Sequence, residues 1–271
     1  MRAWIWAAVL FVTTLPSFAG DNQAYIDQSG QFSDVYVLQD GVGNGLYGIG
    51  GPAIPTNTAA IHGNGNVVTI QQTGSNDQLQ LNMETSSMPR PMTNVSCPTC
   101  PQPVQGNSWS YNVNGNNAKA VIDVNADGKN TSVSNGMDVS QIGDNAVYNG
   151  RFIGDHNSVT VSTTGLNQTV NTSVSGSTNT QTTSAANGSY NIVTVTQSGT
   201  NGTAQTNLNG TANIVTVNQT DGAANGHRTN LDISGNSNTI AVNQSSLVAD
   251  SNINLKTTGS NNVINITSMS R

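Results

Sequence analysis

The chain has 271 residues, of which only 35% are hydrophobic and 8% are charged, and its formal net charge is −6. Ordinary globular domains contain roughly 45–50% apolar and about 25% charged residues, so the composition argues against a globule packed around a large core. No basic patch is visible, and the weak acidity gives no reason to expect nucleic-acid binding.

The N-terminal segment, from Met1 to Ala19, has the organisation of a secretory signal peptide. Arg2 precedes an apolar run from Trp4 to Leu15, and Pro16 and a small-x-small sequence ending at Ala19 follow. Such a run is too short to cross a bilayer comfortably. We therefore expect cleavage after Ala19 and export of the chain from position 20 to 271, with no membrane span in the mature chain.

A seven-residue pattern, Asn-x-apolar-x-apolar-x-Gln, recurs along the exported chain. Neighbouring copies start roughly 22–25 residues apart or near multiples of that spacing, which is the period of a structural repeat. The step from Asn157 to Asn191 is the exception, at about one and a half periods. Complete copies are Asn22–Gln28, Asn66–Gln72, Asn135–Gln141, Asn191–Gln197, Asn213–Gln219 and Asn238–Gln244, and weakened copies are Asn157–Thr163 and Asn262–Ser268.

The pattern has a period of two, which places Asn, the apolar pair and Gln on one face of a β-strand. Turn residues follow most copies, and a second, weaker strand such as Asp34–Gln39 or Asn230–Gly235 precedes the next copy. One such unit has too little apolar surface to fold alone, whereas stacked units share a continuous core. The sequence therefore predicts an all-β fold, a β-solenoid of about ten strand–turn–strand coils with parallel stacking. Columns of Asn and Gln are expected to hydrogen-bond along the stack.

A proline-rich insert interrupts the repeats between positions 83 and 105, and it contains Cys97 and Cys100 in a CxxC arrangement. Proline is not compatible with a stacked strand, so the insert is interpreted as a loop outside the stack. In an exported chain, a small disulfide between Cys97 and Cys100 is the favoured interpretation, with a redox centre or half of a zinc site as alternatives.

These residues resemble the curlin repeat of bacterial curli fibre proteins, Ser-x5-Gln-x-Gly-x2-Asn-x5-Gln. Here Asn replaces the leading Ser, and the sequence from Gln39 to Asn44 matches the central part in full. The trailing Gln is mostly missing. The residues assigned to the repeat ladder are Asn22, Gln28, Gly30, Gln39, Gly41, Asn44, Asn66, Gln72, Gly74, Asn76, Asn135, Gln141, Gly143, Asn145, Asn191, Gln197, Gly199, Asn201, Asn213, Gln219, Asn238 and Gln244.

The resemblance implies a secreted protein that polymerises end to end into extracellular amyloid, for adhesion and biofilm matrix. It also implies self-association or co-assembly with other curlin-like subunits at the bacterial cell surface, and export through outer-membrane secretion machinery. Neither end of the repeat region has a separate helical or charged cap, and this favours polymerisation through open strand edges.

Two other classes of function compete with this interpretation. An enzyme is disfavoured because the few charged residues form no paired cluster and the three His have no partner at motif spacing, so no catalytic, cofactor or metal site is predicted. The leading alternative is a monomeric, capped β-solenoid adhesin. A flat array of outward threonines that binds ice or another surface is a further possibility, with Thr69, Thr160, Thr194 and Thr216 as its members.

Overall fold

The computed structural model describes residues 22–29, 33–48, 58–62, 66–84, 108–114, 118–124, 136–142, 146–164, 166–185, 188–220, 226–246 and 248–269. These residues form an all-β fold without helix. The strands are β1 (Gln23–Ala24), β2 (Ile26–Ser29), β3 (Asp34–Val42), β4 (Gly45–Tyr47), β5 (Ala59–His62), β6 (Val67–Ser75), β7 (Gln78–Glu84), β8 (Ser108–Asn114), β9 (Lys119–Val124), β10 (Gly136–Ile142), β11 (Val147–Ile153), β12 (Ser158–Thr164), β13 (Thr169–Ser177), β14 (Thr180–Ala185), β15 (Ile192–Thr200), β16 (Thr203–Asn209), β17 (Ile214–Thr220), β18 (Arg228–Ser234), β19 (Thr239–Ser245), β20 (Asn252–Thr258) and β21 (Val263–Met269).

Successive strands alternate between two parallel sheets, which is the arrangement of a β-solenoid. Sheet A has the order β1-β4-β7-β9-β11-β13-β15-β17-β19-β21, with β2 and β5 at its N-terminal end. Sheet B has the order β20-β18-β16-β14-β12-β10-β8-β6-β3. The predicted fold class is therefore confirmed.

The number of regular turns is smaller than the ten coils predicted. The fourteen strands from β8 to β21 make about seven regular turns, with one strand in each sheet per turn. Nearer the N-terminus, a full-length sheet A strand is replaced by two short ones, β1 with β2 and β4 with β5. Periodicity predicts the average length of a turn, but it does not show where an inserted segment splits a strand.

Alternating burial produces a narrow core between the sheets. In β17, Val215, Val217 and Gln219 are buried, whereas Ile214 and Thr216 face outward. In-register pairing then stacks like on like, because Val215 lies between Val193 and Ile240 in the neighbouring turns. Burying such columns removes apolar surface from water at about 25 cal/mol per Å2, which no single turn achieves alone.

The copies of the repeat pattern do not all stack in one column. Copies starting at Asn22, Asn191, Asn213, Asn238 and Asn262 precede or enter sheet A strands, whereas those starting at Asn66 and Asn157 lead into sheet B. The step from Asn157 to Asn191 is one and a half turns, so it moves the pattern from one sheet to the other. The two sheets thus carry the same strand type.

Two predicted segments fall largely outside the described residues. The signal peptide at positions 1–19 lies there entirely, and so do Cys97, Cys100 and most of the predicted loop at positions 83–105. Strand β7 extends to Glu84, so the first two residues of that predicted loop belong to a strand, and Met83 is buried in the core.

Candidate assembly interface at the ends of the solenoid

A four-residue turn precedes eight of the described strands. It begins with a glycine of positive φ, such as Gly176 at 116°, and its third residue has left-handed backbone angles, such as Thr178 at 60°. A side chain on Gly176 would overlap the carbonyl oxygen of Gly199, which stacks on it in the next turn. Glycine is therefore required here both for the backbone angle and for the close approach of neighbouring turns. We call the fourth residue of each turn the corner residue.

Asparagine at the corner position links each turn to the next through three hydrogen bonds. The side-chain oxygen of Asn213 accepts from the backbone N–H and the side-chain amide of Asn238, at 3.1 and 3.0 Å. The side-chain amide of Asn213 also donates to the carbonyl of Gly235, at 2.9 Å. Asn213 is completely buried, so these bonds satisfy an amide that would otherwise be costly to desolvate.

The same connection recurs at the corners of both sheets. It runs from Asn191 through Asn213 and Asn238 to Asn262 in sheet A, and from Asn157 through Asn179 to the backbone of Gly202 in sheet B. In the N-terminal part, it joins Asn22, Asn44, Asp77 and the backbone of Ala118. Each side-chain oxygen accepts from the following turn, so these ladders have a direction.

A second ladder consists of glutamines that cross the core. Gln197 donates to Gln219, and Gln219 donates to Gln244, both at 2.9 Å. The side-chain amides of Gln219 and Gln244 also donate to the backbone carbonyls of Thr203 and Arg228, which are the first residues of two strands in sheet B. The amide column therefore connects neighbouring turns and also the two sheets.

The glutamine ladder is not continuous along the molecule. Gln39 donates to Gln72 in sheet B at 2.8 Å, but Gln72 pairs on its other side with Val113. In the middle of sheet A, the equivalent positions are apolar and buried, as at Phe152 and Val174. Glutamine ladders therefore lie in sheet B near the N-terminal end and in sheet A near the C-terminal end, and apolar residues occupy the middle of the sheet A column.

The predicted ladder residues fall into distinct structural classes. Asn22, Asn44, Asn66, Asn191, Asn213 and Asn238 are corner residues, and Gln28, Gln39, Gln72, Gln197, Gln219 and Gln244 are on the inward face of strands. Asn76 and Asn201 are not in the columns, because they occupy the left-handed turn position, and Gly41, Gly74 and Gly199 begin turns. Gly30, Asn135, Gly143 and Asn145 lie outside the described residues, and Gln141 is described only as part of the β10 backbone.

Several residues that act in the ladders are not in the predicted set. Asn179 and Asn262 are corner residues that a search for complete copies of the pattern does not select. Asn179 follows Asn157 by one full period, so the spacing alone could have identified it. Asp77 and Ser33 replace asparagine at corners, and each accepts from the next turn through a side-chain oxygen.

At the C-terminal end of the described stack, β20 and β21 are the last strands of their sheets, and we call this pair the last rung. No described strand covers it. Ile253, Leu255, Ile264 and Ile266 pack against the core but are only partly buried, whereas their neighbours one turn earlier are fully buried. Among the described residues, none donates to the side-chain oxygen of Asn262, which is the last acceptor of its ladder.

The N-terminal end presents a rung of matching chemistry. Val35 and Val37 of β3 and Ile26 of β2 are partly buried hydrophobic residues packed against the core. Each end therefore presents partly buried apolar side chains from both sheets together with strand edges. The strand edges carry backbone groups that can pair with another strand.

The predicted threonine array is divided between the two sheets. Thr194 pairs with Thr216 in sheet A, but Ala241 and Asn265 continue that column. Thr69 and Thr160 lie in sheet B instead. The outward face of the described part of the stack therefore has no continuous threonine row.

No family model matches this chain, and no curated protein matches it either. Within the described ranges, no helix is both long enough and apolar enough to cross a membrane.

Proposed function

We propose that this chain is a non-enzymatic secreted structural protein that assembles as, or onto, extracellular curli-like fibres for adhesion and biofilm matrix. The observation that supports this most is the directional amide ladder, which ends in the last described rung at Asn262, whose side-chain oxygen accepts no hydrogen bond from the described residues. Another rung would continue this ladder with the contacts that already join Asn191 to Asn213, Asn213 to Asn238 and Asn238 to Asn262.

Two further features favour assembly. The exposed apolar rows at both ends are narrow, and another copy of the same chain has the spacing to cover them. The outward surface is nearly uncharged, and amide pairs such as Asn149 with Asn171 and Asn218 with Asn243 bond along it at 2.9 Å. Stacked neutral side chains do not repel one another, as stacked ionised ones would.

The test is assembly of the purified chain from position 20 to 271 at tens of micromolar, followed by thioflavin fluorescence and electron microscopy. A lag followed by growth is expected, because the first pairing orders many residues for few contacts. Fibre fragments should remove the lag, since an exposed rung is a ready template. A chain that stays monomeric for days, seeded or unseeded, would remove the fibre proposal in favour of the capped adhesin.

A further inference from the structure

A level is one strand position in either sheet, and the two sheets together have an odd number of levels in the described stack. Sheet A has ten levels along its main path and sheet B has nine, so both the first strand, β1, and the last strand, β21, belong to sheet A. We infer that a second copy of this chain adds to the C-terminal end rotated by half a turn, so that sheet A of one copy continues as sheet B of the next. This inference rests on the proposed assembly into fibres.

The rotation follows from the path of the chain. Each half-turn moves the chain to the other sheet, so the position that follows β21 is above β20, in sheet B. The first strand of a second copy belongs to its own sheet A, and it can occupy that position only after half a turn. Without rotation, β1 would lie above β21, and the position above β20 would stay empty, with Ile253 and Leu255 uncovered.

Half a turn about the solenoid axis preserves the strand pairing. It exchanges the two sheets and also their strand directions, so parallel pairs remain parallel. The exchange is chemically permitted because the same strand type occurs in both sheets, for instance in β6 of sheet B and β17 of sheet A, where alternate residues are buried.

Alignment of the corner residues gives the register of the junction. Asn22 of the second copy lies over Ser251, and its Ser33 lies over Asn262. The apolar rows then meet in order: Leu255 faces Ile26 of the second copy, Ile264 faces its Val35, and Ile266 faces its Val37. Each of these side chains is partly exposed at its own end of the stack.

The outward charges favour the rotated register. Lys256 lies 3.6 Å from Asp232 one turn below, and in the rotated junction Asp27 of the second copy lies on its other side. Asp27 is itself 3.3 Å from His62 of its own chain. Without rotation, the position above Lys256 would be empty, Leu38 would lie one level beyond that gap, and Asp27 would face Thr267. Exposed ion pairs add little affinity, but they select between registers.

The glutamine ladders also continue through the rotated junction. The sheet A ladder ends with Gln244 followed by Ser268, and the sheet B ladder begins with Gln39 and Gln72. Rotation places Gln39 of the second copy over Ser268, so amide-rich columns meet. Without rotation, Gln28 would follow Ser268, and Ile61 would come next in that column.

Carbodiimide cross-linking of fibres tests the register directly, because it joins an amine to an adjacent carboxylate. Fibres are grown from an equal mixture of unlabelled and 15N-labelled chains, so that peptides of mixed isotope report links between copies. Within one chain, Lys256 and Asp27 are at opposite ends of the stack, about 40 Å apart at roughly 4.8 Å per rung, and cannot be joined.

Mixed-isotope peptides that join Lys256 to Asp27 are the expected result. Mixed-isotope links from Lys256 to Asp40 instead would indicate the unrotated register, in which Asp40 lies two residues from the Leu38 position. That outcome, or fibres without any intermolecular link at Lys256, would overturn the rotation and leave the proposed function intact. Absence of fibres would remove the proposed function, and the rotation with it.

Charge exchange gives an independent measurement. Lys256→Glu should slow seeded elongation at low salt by roughly fivefold relative to Lys119→Glu, which makes the same change at an exposed site away from the ends. Adding Asp27→Lys to the Lys256→Glu chain should restore most of the rate. Equal rates for Lys256→Glu and Lys119→Glu, or no restoration in the double variant, would contradict the junction.

Discussion

The side-chain oxygen of Asn191 accepts hydrogen bonds from both the backbone N–H and the side-chain amide of Asn213, one turn later, at 3.0 and 3.1 Å. A single asparagine thus fixes the corner of its own turn and the position of the next. Because the oxygen always accepts from the following turn, the solenoid has chemically different ends, and any fibre built by continuing it is polar.

Removing one rung of this ladder should destabilise the fold markedly. Asn213→Ala removes the acceptor of a buried hydrogen bond from the Asn238 backbone N–H and the donor of a partly buried one to the Gly235 carbonyl. We expect the free energy of unfolding to fall by roughly 2–4 kcal/mol, measured by urea denaturation of the monomer. Thr216→Ala, an outward change in the strand that follows, is the control and should cost less than about 0.5 kcal/mol.

The stacked glycines should be equally restrictive. Gly176→Ala would force a side chain onto the Gly199 carbonyl at a residue with φ of 116°, and a loss of roughly 2–4 kcal/mol is expected. Gly136 is a matched control, because a side chain there would meet no atom within 4 Å. Equal destabilisation by Gly176→Ala and Gly136→Ala would mean that turn stacking does not require glycine.

Sequence periodicity predicts most of this fold because the structure repeats itself physically. A period of two within each copy, together with the regular spacing between copies, specifies strands, stacking and inward amides. Buried Gln197 and Gln219 follow directly from that pattern. The turn glycines are equally visible, since a positive φ favours a residue without a side chain.

The sequence does not show directly which strand stacks on which. Asn157 and Asn191 belong to equivalent corners of different sheets, and only the half-period in their separation indicates this. Corner residues such as Asp77 and Ser33 are also hard to recognise, because the position requires a side-chain oxygen rather than one residue type. The rotation proposed between two copies, finally, depends on counting ten levels in sheet A and nine in sheet B, where the two halves of a split strand count as one level.

Glutamine columns should control assembly more than the outward face does. Replacing Gln197, Gln219 and Gln244 by Ala removes the donor that each side chain supplies to a partly buried carbonyl, such as that of Thr203. Seeded growth should therefore slow by more than in a chain carrying Thr194→Ala and Thr216→Ala. Thioflavin kinetics with a common seed stock measure the difference, and similar slowing by both sets would contradict a role for the inward amides.

Alkaline pH should destabilise the monomer through its buried tyrosines. Burial raises the pKa of Tyr148 well above its ordinary value, and burial, with a smaller contribution from the Asp77 carboxylate, raises the pKa of Tyr111. In the unfolded chain both ionise near pH 10, whereas the folded chain keeps them neutral. Stability is therefore fully present below about pH 10 and is lost as the pH rises from there towards the raised folded values.

Tyr148→Phe separates this effect from general alkaline damage. The variant keeps the buried ring and loses the hydroxyl that contacts the Met137 sulfur at 3.6 Å. Its urea midpoint should fall less steeply above about pH 10 than that of the wild type, since one of the two buried ionisations is gone. An unchanged slope would show that Tyr148 does not contribute to the alkaline transition.

A charge in the apolar row of the last rung should produce a chain that stops fibre growth. Ile266 is partly exposed at the C-terminal end, so Ile266→Lys should leave the monomer folded while preventing another copy from covering β21. The N-terminal end of the variant is intact, and it can still add to the C-terminal end of a growing fibre. Substoichiometric amounts should therefore arrest wild-type elongation at that end, as single-fibre imaging from marked seeds would show.

Asn265→Lys introduces the same charge on the outward side of the same strand and should inhibit much less. Equal inhibition by the two variants would indicate that net charge, rather than coverage of the apolar row, determines whether the rung accepts another copy.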